Sequence, residues 1–286
     1  MGLLYAFLAS TFTTARNVLN KKIAINVESV ISTFATFLYS LPFYAFIILI
    51  QYFFNGQHFE ISKTLLIIVF LRNGTDILNE YFKLKAYETG ELSLVSGILT
   101  LSPIFTLILS NIFIGEKVTY FTIVGILLVI IGNILLSESS LQSKTQKSLR
   151  SIVYALISSF LLGVNLIFDK LVLREASPLI ASFLLALVAS GILFPIFLLQ
   201  KRQKRVKLMK YKRSFLFRGA CECIYMLSKI TALKYLSAPV VDSIKKSSVL
   251  NSIIFGKIIF KEKNFKKKIL GGIFMFGGLL LIILYR

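Results

Sequence analysis

The sequence predicts an all-helical polytopic membrane protein whose ten transmembrane helices form a five-plus-five inverted repeat. Two observations lead to this class: a composition too apolar for a soluble domain, and a side-chain pattern that recurs across a central polar linker. Of the 286 residues, 56% are hydrophobic and 16% are charged, and the mean hydropathy is +0.79. Since a bilayer core takes roughly 20 residues per helix, this length suits about ten spans with short loops.

Apolar runs of this length divide the chain into ten predicted spans. They cover residues 3–20, 30–52, 64–87, 92–114, 118–136, 151–170, 179–199, 214–235, 239–259 and 269–285. The first span is diluted by Arg16 and Asn17, and it lacks the basic start and small-residue cleavage site of a signal peptide, so we expect a retained helix. The polar linker 139–150 separates two predicted domains of five spans each, 1–138 and 151–286.

The two predicted domains look like copies of one unit. The matching pairs are Tyr5 with Tyr154, Ser10 with Ser159 and Lys21 with Lys170 at an offset of 149 residues, then Arg72 with Arg218, Lys83 with Lys229, Glu116 with Glu262 and Gly125 with Gly271 at an offset of 146. Each copy holds an odd number of spans, so the second copy must enter the membrane in the opposite sense to the first. This predicts an inverted repeat.

Charge and metal-ligand chemistry exclude several functions. Lys and Arg number 33 against 13 acidic residues, but the basic residues cluster in 201–213 and 261–268, between apolar runs, as topogenic signals do. We therefore predict no nucleic-acid partner. With one histidine, His58, and two cysteines, Cys221 and Cys223, the chain lacks the ligands for zinc sites, haem or histidine-based triads. We predict no metal and no cofactor.

One segment resembles a known family. The run AYETGELSLVSGILTLSPIFTLILSNIFIGEKVTYFTIVGILLVIIGNILL, with a proline in its fourth span, Gly-Glu at that span's end and spaced glycines in the fifth, resembles an EamA-type repeat. The second copy has Val249 in place of Pro103 and Lys261 in place of Gly115. The resemblance covers essentially the whole chain and implies the drug/metabolite transporter superfamily. Members export amino acids and drugs, or exchange nucleotide sugars and sugar phosphates.

The third and eighth predicted spans carry matching polar stripes. Steps of four, three and four residues place Arg72, Asp76, Asn79 and Lys83 on one helical face, and Arg218, Glu222, Tyr225 and Lys229 on the equivalent face. Ionisable groups inside a span are costly, which favours a shared interior surface. The alternative is that Arg72 with Asp76, and Arg218 with Glu222, are local pairs that only support folding.

The ninth predicted span breaks the repeat symmetry. It carries Asp242, Lys245 and Lys246, whereas the counterparts Leu99 and Thr100 are uncharged. Asp242 has the spacing to neutralise one lysine at a time. The segment resembles the Asn-x-x-Lys-Arg segment of sugar-phosphate translocators, which implies that both lysines bind a phosphate or carboxylate; Asp242 and Lys246 depart from that pattern's Asn and Arg. The alternative is that the lysines extend to the membrane interface.

Together these charges predict a secondary transporter, not an enzyme, that moves a small anionic or zwitterionic metabolite, phosphorylated or carboxylate-bearing, by alternating access. The predicted substrate-binding residues are Lys245, Lys246, Arg218, Arg72, Lys229, Lys83 and Tyr225, and the coupling or charge-balancing residues are Asp242, Glu222, Asp76 and Glu80. The six cations exceed the four acids, which argues against a pump for cationic drugs. The alternatives are an exporter of amino acids or drugs, and a membrane-embedded enzyme acting on a lipid phosphate.

Location and assembly follow from the same features. We expect an integral protein of a bacterial cytoplasmic membrane, in contact with the lipid bilayer. The basic loops follow odd-numbered spans, which places those loops in the cytosol and both termini outside, whereas the family resemblance implies termini inside; we favour the charge pattern. Glycines in the fifth and tenth spans favour close helix approach, within one chain or in a homodimer.

Overall fold

The architecture is a bundle of α-helices. A computed structural model of the protein describes residues 1–24, 27, 29–55, 61–89, 95, 98–117, 119–137, 146–248 and 265–285. The helices in this part are α1 (Gly2–Ala24), α2 (Ser29–Asn55), α3 (Lys63–Thr89), α4 (Ser102–Ile114), α5 (Tyr120–Ser137), α6 (Gln146–Glu175), α7 (Pro178–Leu198), α8 (Arg202–Lys210), α9 (Lys212–Tyr235), α10 (Ala238–Lys246) and α11 (Phe265–Leu284). The described residues form no strand, and the all-helical prediction is confirmed.

The described helices have the length and apolar surface of a membrane protein. Three segments, Ile31–Phe53, Leu149–Glu175 and Pro178–Leu198, are long and apolar enough to cross a bilayer, and shorter apolar helices lie in α4, α5 and α11. Large apolar side chains point outward, with Phe53 79% exposed and Phe217 62% exposed. Such extensive exposed apolar surface fits contact with lipid.

Proline and glycine set the ends of several helices. Pro103, Pro178 and Pro239 lie in the first turns of α4, α7 and α10, where the missing N–H costs nothing. Helix α4 ends at Gly115, whose φ of 74° lies in the left-handed region that favours glycine. The chain therefore turns sharply just before Glu116.

Three helix pairs, each joining the two halves of the chain, pack antiparallel. The contacts that set their directions are Gly2 with Leu236 and Arg16 with Glu222 for α1 and α9, Ser62 with Glu175 and Ala86 with Ser151 for α3 and α6, and Gly125 with Gly278 and Gly132 with Gly271 for α5 and α11. Met1, Glu175 and Tyr285 lie at one end of the bundle, which we call the terminal side. Helix α8 lies at the other end, the basic side.

The basic stretch before α9 is a helix, not a loop. The prediction of a loop over 201–213 is wrong for Arg202–Lys210, which forms α8. Lys and Arg are good helix formers, and Leu208 packs into a small apolar cluster with Ile31 and Phe215. That anchor holds the basic helix against α2 and α9.

Glycines bring α5 and α11 into close contact within one chain. A Cβ on Gly125 would lie 2.7 Å from the carbonyl oxygen of Gly278, and a Cβ on Gly132 would lie 2.5 Å from that of Gly271. These glycines therefore serve packing inside the chain. A homodimer through the same two helices stays a prediction.

Adding a methyl group at Gly278 is expected to destabilise the protein by about 1–3 kcal/mol, because an alanine Cβ would lie 2.5 Å from the carbonyl oxygen of Gly125. Gly277→Ala is the matched control, since no atom of the described residues lies within 4 Å of its Cβ position. Thermal unfolding in detergent can be followed with a thiol-reactive fluorophore, because Cys221 and Cys223 are buried free thiols. Equal melting temperatures for the two variants would contradict this packing.

Candidate functional site

A buried aspartate joins three helices at the centre of the first ion cluster. Asp169 of α6 is fully buried. Its carboxylate accepts a hydrogen bond from Arg72 Nε of α3 at 3.1 Å and another from Lys229 Nζ of α9 at 2.7 Å. Arg72 and Lys229 are each 3% exposed. Isolated buried charges are costly, so these three groups depend on one another.

A second carboxylate completes this cluster. Arg72 NH1 lies 2.7 Å from Asp76 Oδ2, and Asn165 Nδ2 donates to Asp76 Oδ1 at 3.0 Å. Asn165 in turn accepts from Thr75 Oγ1 at 2.5 Å. Counting Lys229 and Asp169, the first cluster holds two cations and two carboxylates and is electrically neutral.

The second ion cluster lies between α1 and α9. Arg16 NH1 lies 3.0 Å from each carboxylate oxygen of Glu222. The Arg16 guanidinium also stacks 4.5 Å from the ring centroid of Tyr225, and Lys229 Nζ lies 5.7 Å from the same ring. Tyr225 therefore separates the cations of the two clusters and interacts favourably with both.

Arg218 is a buried cation that is held by neutral acceptors. Its side chain is 8% exposed, and NH1 donates to the hydroxyl and carbonyl oxygens of Ser32 on α2. Among the described residues, no carboxylate lies within 4.0 Å of it. Its Nε is buried without a hydrogen-bond partner, as is Nε of Arg16.

The lysines of α10 are bound to protein acceptors. Lys245 Nζ lies 3.4 Å from Asp242, and Lys246 Nζ donates to the carbonyl oxygen of Leu99 at 2.9 Å. Asp242 also accepts from Ser102 of α4 at 2.6 Å. As the spacing predicted, Asp242 pairs with one lysine. Residues 249–259, the rest of the predicted ninth span, lie outside the described residues.

Two further ion pairs flank the clusters. Lys83 pairs with Glu80 on α3. On the terminal side, Glu116 lies 2.6 Å from Lys170 of α6 and accepts the backbone N–H of Ala238 at the start of α10. Because Gly115 ends α4 just before it, Glu116 connects that turn to the second half of the chain.

The structure brings five of the predicted site residues into the two clusters, and it changes some of their partners: Arg72, Asp76 and Lys229 lie in the first cluster, and Glu222 and Tyr225 lie in the second. Arg72 and Asp76 form the local pair that the sequence offered as an alternative. The corresponding local pair of Arg218 with Glu222 is wrong, because Glu222 turns to Arg16 instead. Lys83 and Glu80 lie beside the clusters and pair with each other.

Two residues outside the predicted site, Asp169 and Arg16, lie at the centres of the two clusters. The repeat gives a signal for both residues. At the offset of 149 residues, the position equivalent to Asp169 is the neutral Asn20, and the position equivalent to Arg16 is the neutral Asn165. Both are therefore charges that break the repeat. Arg16 adds one cation and Asp169 adds one acid to the predicted set, so the excess of cations over acids in that set is unchanged.

A cavity of about 490 Å³ opens on the terminal side, away from the ion clusters. Its lining includes Met1, Lys117, Thr119 and Tyr235, and none of the predicted site residues. The site is therefore defined here by its buried charges and not by this cavity.

Comparisons with known proteins agree with the helical architecture. The sequence profile of the EamA-like transporter family matches the chain twice, over residues 1–138 and 149–284. An uncharacterized transporter of Archaeoglobus fulgidus is 32% identical over 94 residues, which is 32% of this chain and 32% of that protein. A crystal structure of another protein superimposes with a TM-score of 0.81 at 13% identity, covering 100% of this chain and 99% of the other. That likeness shows a shared fold.

Proposed function

Because the chain belongs to the EamA-like transporter family, we propose that it is a secondary transporter of a small anionic or zwitterionic metabolite that works by alternating access. The observation that carries the proposal is Asp169, which is fully buried and bound by cations from α3 and α9. Ionisable groups deep in a membrane protein mark substrate or ion pathways by default. Burying these charged groups costs free energy, which a helix bundle with a purely structural role would not require.

The sign of the charges supports an anionic or zwitterionic substrate. The described clusters contain more cations than carboxylates, with Arg16 and Asp169 adding one of each sign to the predicted set. In a low-dielectric interior such a surplus attracts anions and repels lipophilic cations. Carboxylates such as Asp76, whose side chain is 19% exposed, remain available to an amino group or a coupling proton.

Antiparallel packing supports the proposed five-plus-five inverted repeat, with domains 1–138 and 151–286. Gly125 and Gly132 are the repeat equivalents of Gly271 and Gly278. Across α5 and α11, Gly125 meets Gly278 while Gly132 meets Gly271, which is the exchange expected of a two-fold axis in the membrane plane. The α3–α6 pair has the same relation to the α9–α1 pair. Repeats of this kind rock against each other in alternating access.

Cysteine labelling is expected to place α8 in the cytosol and the terminal side outside. In a Cys221→Ala, Cys223→Ala background, a cysteine at Ile61, which is 53% exposed on the terminal side, should react with a membrane-impermeant maleimide in intact cells. A cysteine at Met209 of α8, which is 68% exposed, should react only after lysis, because basic segments stay in the cytosol. Labelling of Met209→Cys from outside would reverse the proposed orientation.

Counterflow in proteoliposomes tests the proposed function. Vesicles containing the purified protein are loaded with one unlabelled solute, and uptake of the labelled solute is followed for phosphorylated, carboxylate-bearing, zwitterionic and cationic compounds. Counterflow of at least one anion or zwitterion, absent from empty vesicles, supports the proposal. Counterflow of lipophilic cations alone would contradict the proposed substrate class.

A further inference from the structure

The two ion clusters are equivalent in the repeat but not in charge. Arg72 and Arg218 occupy matching positions, and so do Asp76 and Glu222. Arg72 is neutralised twice, by Asp76 and by Asp169. The equivalent of Asp169 in the first half of the chain is the uncharged Asn20.

Among the described residues, Glu222 forms its ion pair with Arg16 and not with Arg218. Its carboxylate is held by Arg16 at 3.0 Å, whereas the equivalent carboxylate, Asp76, is hydrogen-bonded by the neutral Asn165 and pairs with its own arginine. The one carboxylate of this group is thus in direct contact with Arg16 alone. The Arg16, Arg218 and Glu222 group carries a net charge of one positive unit, whereas the first cluster is neutral.

Unsatisfied donors accompany this excess charge. The Nε atoms of Arg16 and Arg218 are both buried and lack partners, and Arg218 is 92% buried with only Ser32 as a neutral acceptor among the described residues. A buried cation with open N–H groups is costly unless an anion completes it. Of the two α10 lysines, Lys245 already pairs with Asp242, and Lys246 donates to a neutral acceptor, the carbonyl oxygen of Leu99.

We propose that Arg218, with Arg16 and Ser32, forms the substrate's anion subsite and that the group it takes is a carboxylate. A guanidinium fork matches a carboxylate in geometry. A single negative charge balances the single positive surplus, whereas a phosphate monoester brings about −1.5 to −2 and would leave the group with a net negative charge. This inference rests on the proposed function and narrows its substrate to a carboxylate-bearing metabolite.

Ligand-induced thermal shifts of the purified protein test the subsite without transport. The probes are acetate, succinate, L-alanine, L-glutamate, chloride, orthophosphate and choline, which separate a carboxylate with an amino group from one without, and a carboxylate from another anion. At least one carboxylate is expected to raise the melting temperature of the wild type. Orthophosphate or chloride acting as strongly as every carboxylate, or no shift from any carboxylate, would overturn the proposal.

Three variants identify the residue responsible. Arg218→Met is expected to weaken the apparent affinity for the best carboxylate about ten-fold or more, and Arg218→Lys should recover part of it. Without ligand, Arg218→Met should be as stable as the wild type or more stable, because it removes a buried cation that has no ion-pair partner among the described residues. Arg213→Met, at an exposed position on the same helix, is the matched control and should bind as the wild type does.

These binding and stability measurements distinguish a failure of the Arg218 subsite from a failure of the proposed transport function. Loss of carboxylate binding in Lys245→Met, with Arg218→Met unaffected, would overturn the subsite in favour of the lysines while leaving the transport function intact. A destabilised Arg218→Met that still shows the full carboxylate shift would make the arginine structural. Counterflow of a solute lacking a carboxylate would overturn the carboxylate assignment alone.

Discussion

Asp169→Ala is expected to destabilise the protein by about 3–5 kcal/mol, the usual cost of removing one partner from a buried ion pair. The reason is specific to this junction: Lys229 is 3% exposed and lies 2.7 Å from Asp169. Without the carboxylate, its ammonium group would remain buried and uncompensated. Arg72 retains Asp76, so the loss concentrates on α9. Thiol reactivity of Cys221 and Cys223 during heating reports the melting temperature.

Restoring charge balance should rescue that variant. Asp169→Ala combined with Lys229→Met removes one charge of each sign, and we expect most of the lost stability to return. Glu175→Ala is the matched control on the same helix, because Glu175 is exposed and accepts only from Ser62 among the contacts described. If the double variant were as unstable as Asp169→Ala, uncompensated charge would not be the cause.

Replacing Arg72 by Met and Asp76 by Asn together is expected to abolish transport while the protein still folds. The substitutions remove one cation and one carboxylate, and Asp169 keeps Lys229 as its partner. Insertion and melting temperature should therefore stay near those of the wild type. A charge-assisted contact contributes about 1.5–3 kcal/mol, so substrate binding should weaken about ten-fold to over a hundred-fold.

The helices and one ion pair were readable from the sequence because they depend on local spacing. Long apolar runs predict the helices, and four-residue spacing on a helix predicts that Arg72 meets Asp76. Short-range rules fail for the basic residues of α8. Their charge predicts a loop, but they form a helix whose Leu208 packs into an apolar cluster.

The cross-helix partners could not be read in the same way. Arg16 and Glu222 are 206 residues apart, and their contact depends on which faces of α1 and α9 pack together. Asp169 likewise finds Arg72 and Lys229 only once α6 lies between α3 and α9. The internal repeat gives a partial signal, because Asp169 and Arg16 are each equivalent to a neutral residue in the other copy. Packing decides which of the remaining charges each of these two residues neutralises.

The counterflow rate of the Arg72→Met, Asp76→Asn variant tests most directly whether the buried ion clusters form the transport pathway. Wild type and variant are reconstituted at equal density and assayed with the solute that the wild type exchanges fastest. We predict that the variant has the wild-type melting temperature and an exchange rate near that of empty vesicles. A variant that exchanges the solute at the wild-type rate would contradict the account and return this ion pair to a purely structural role.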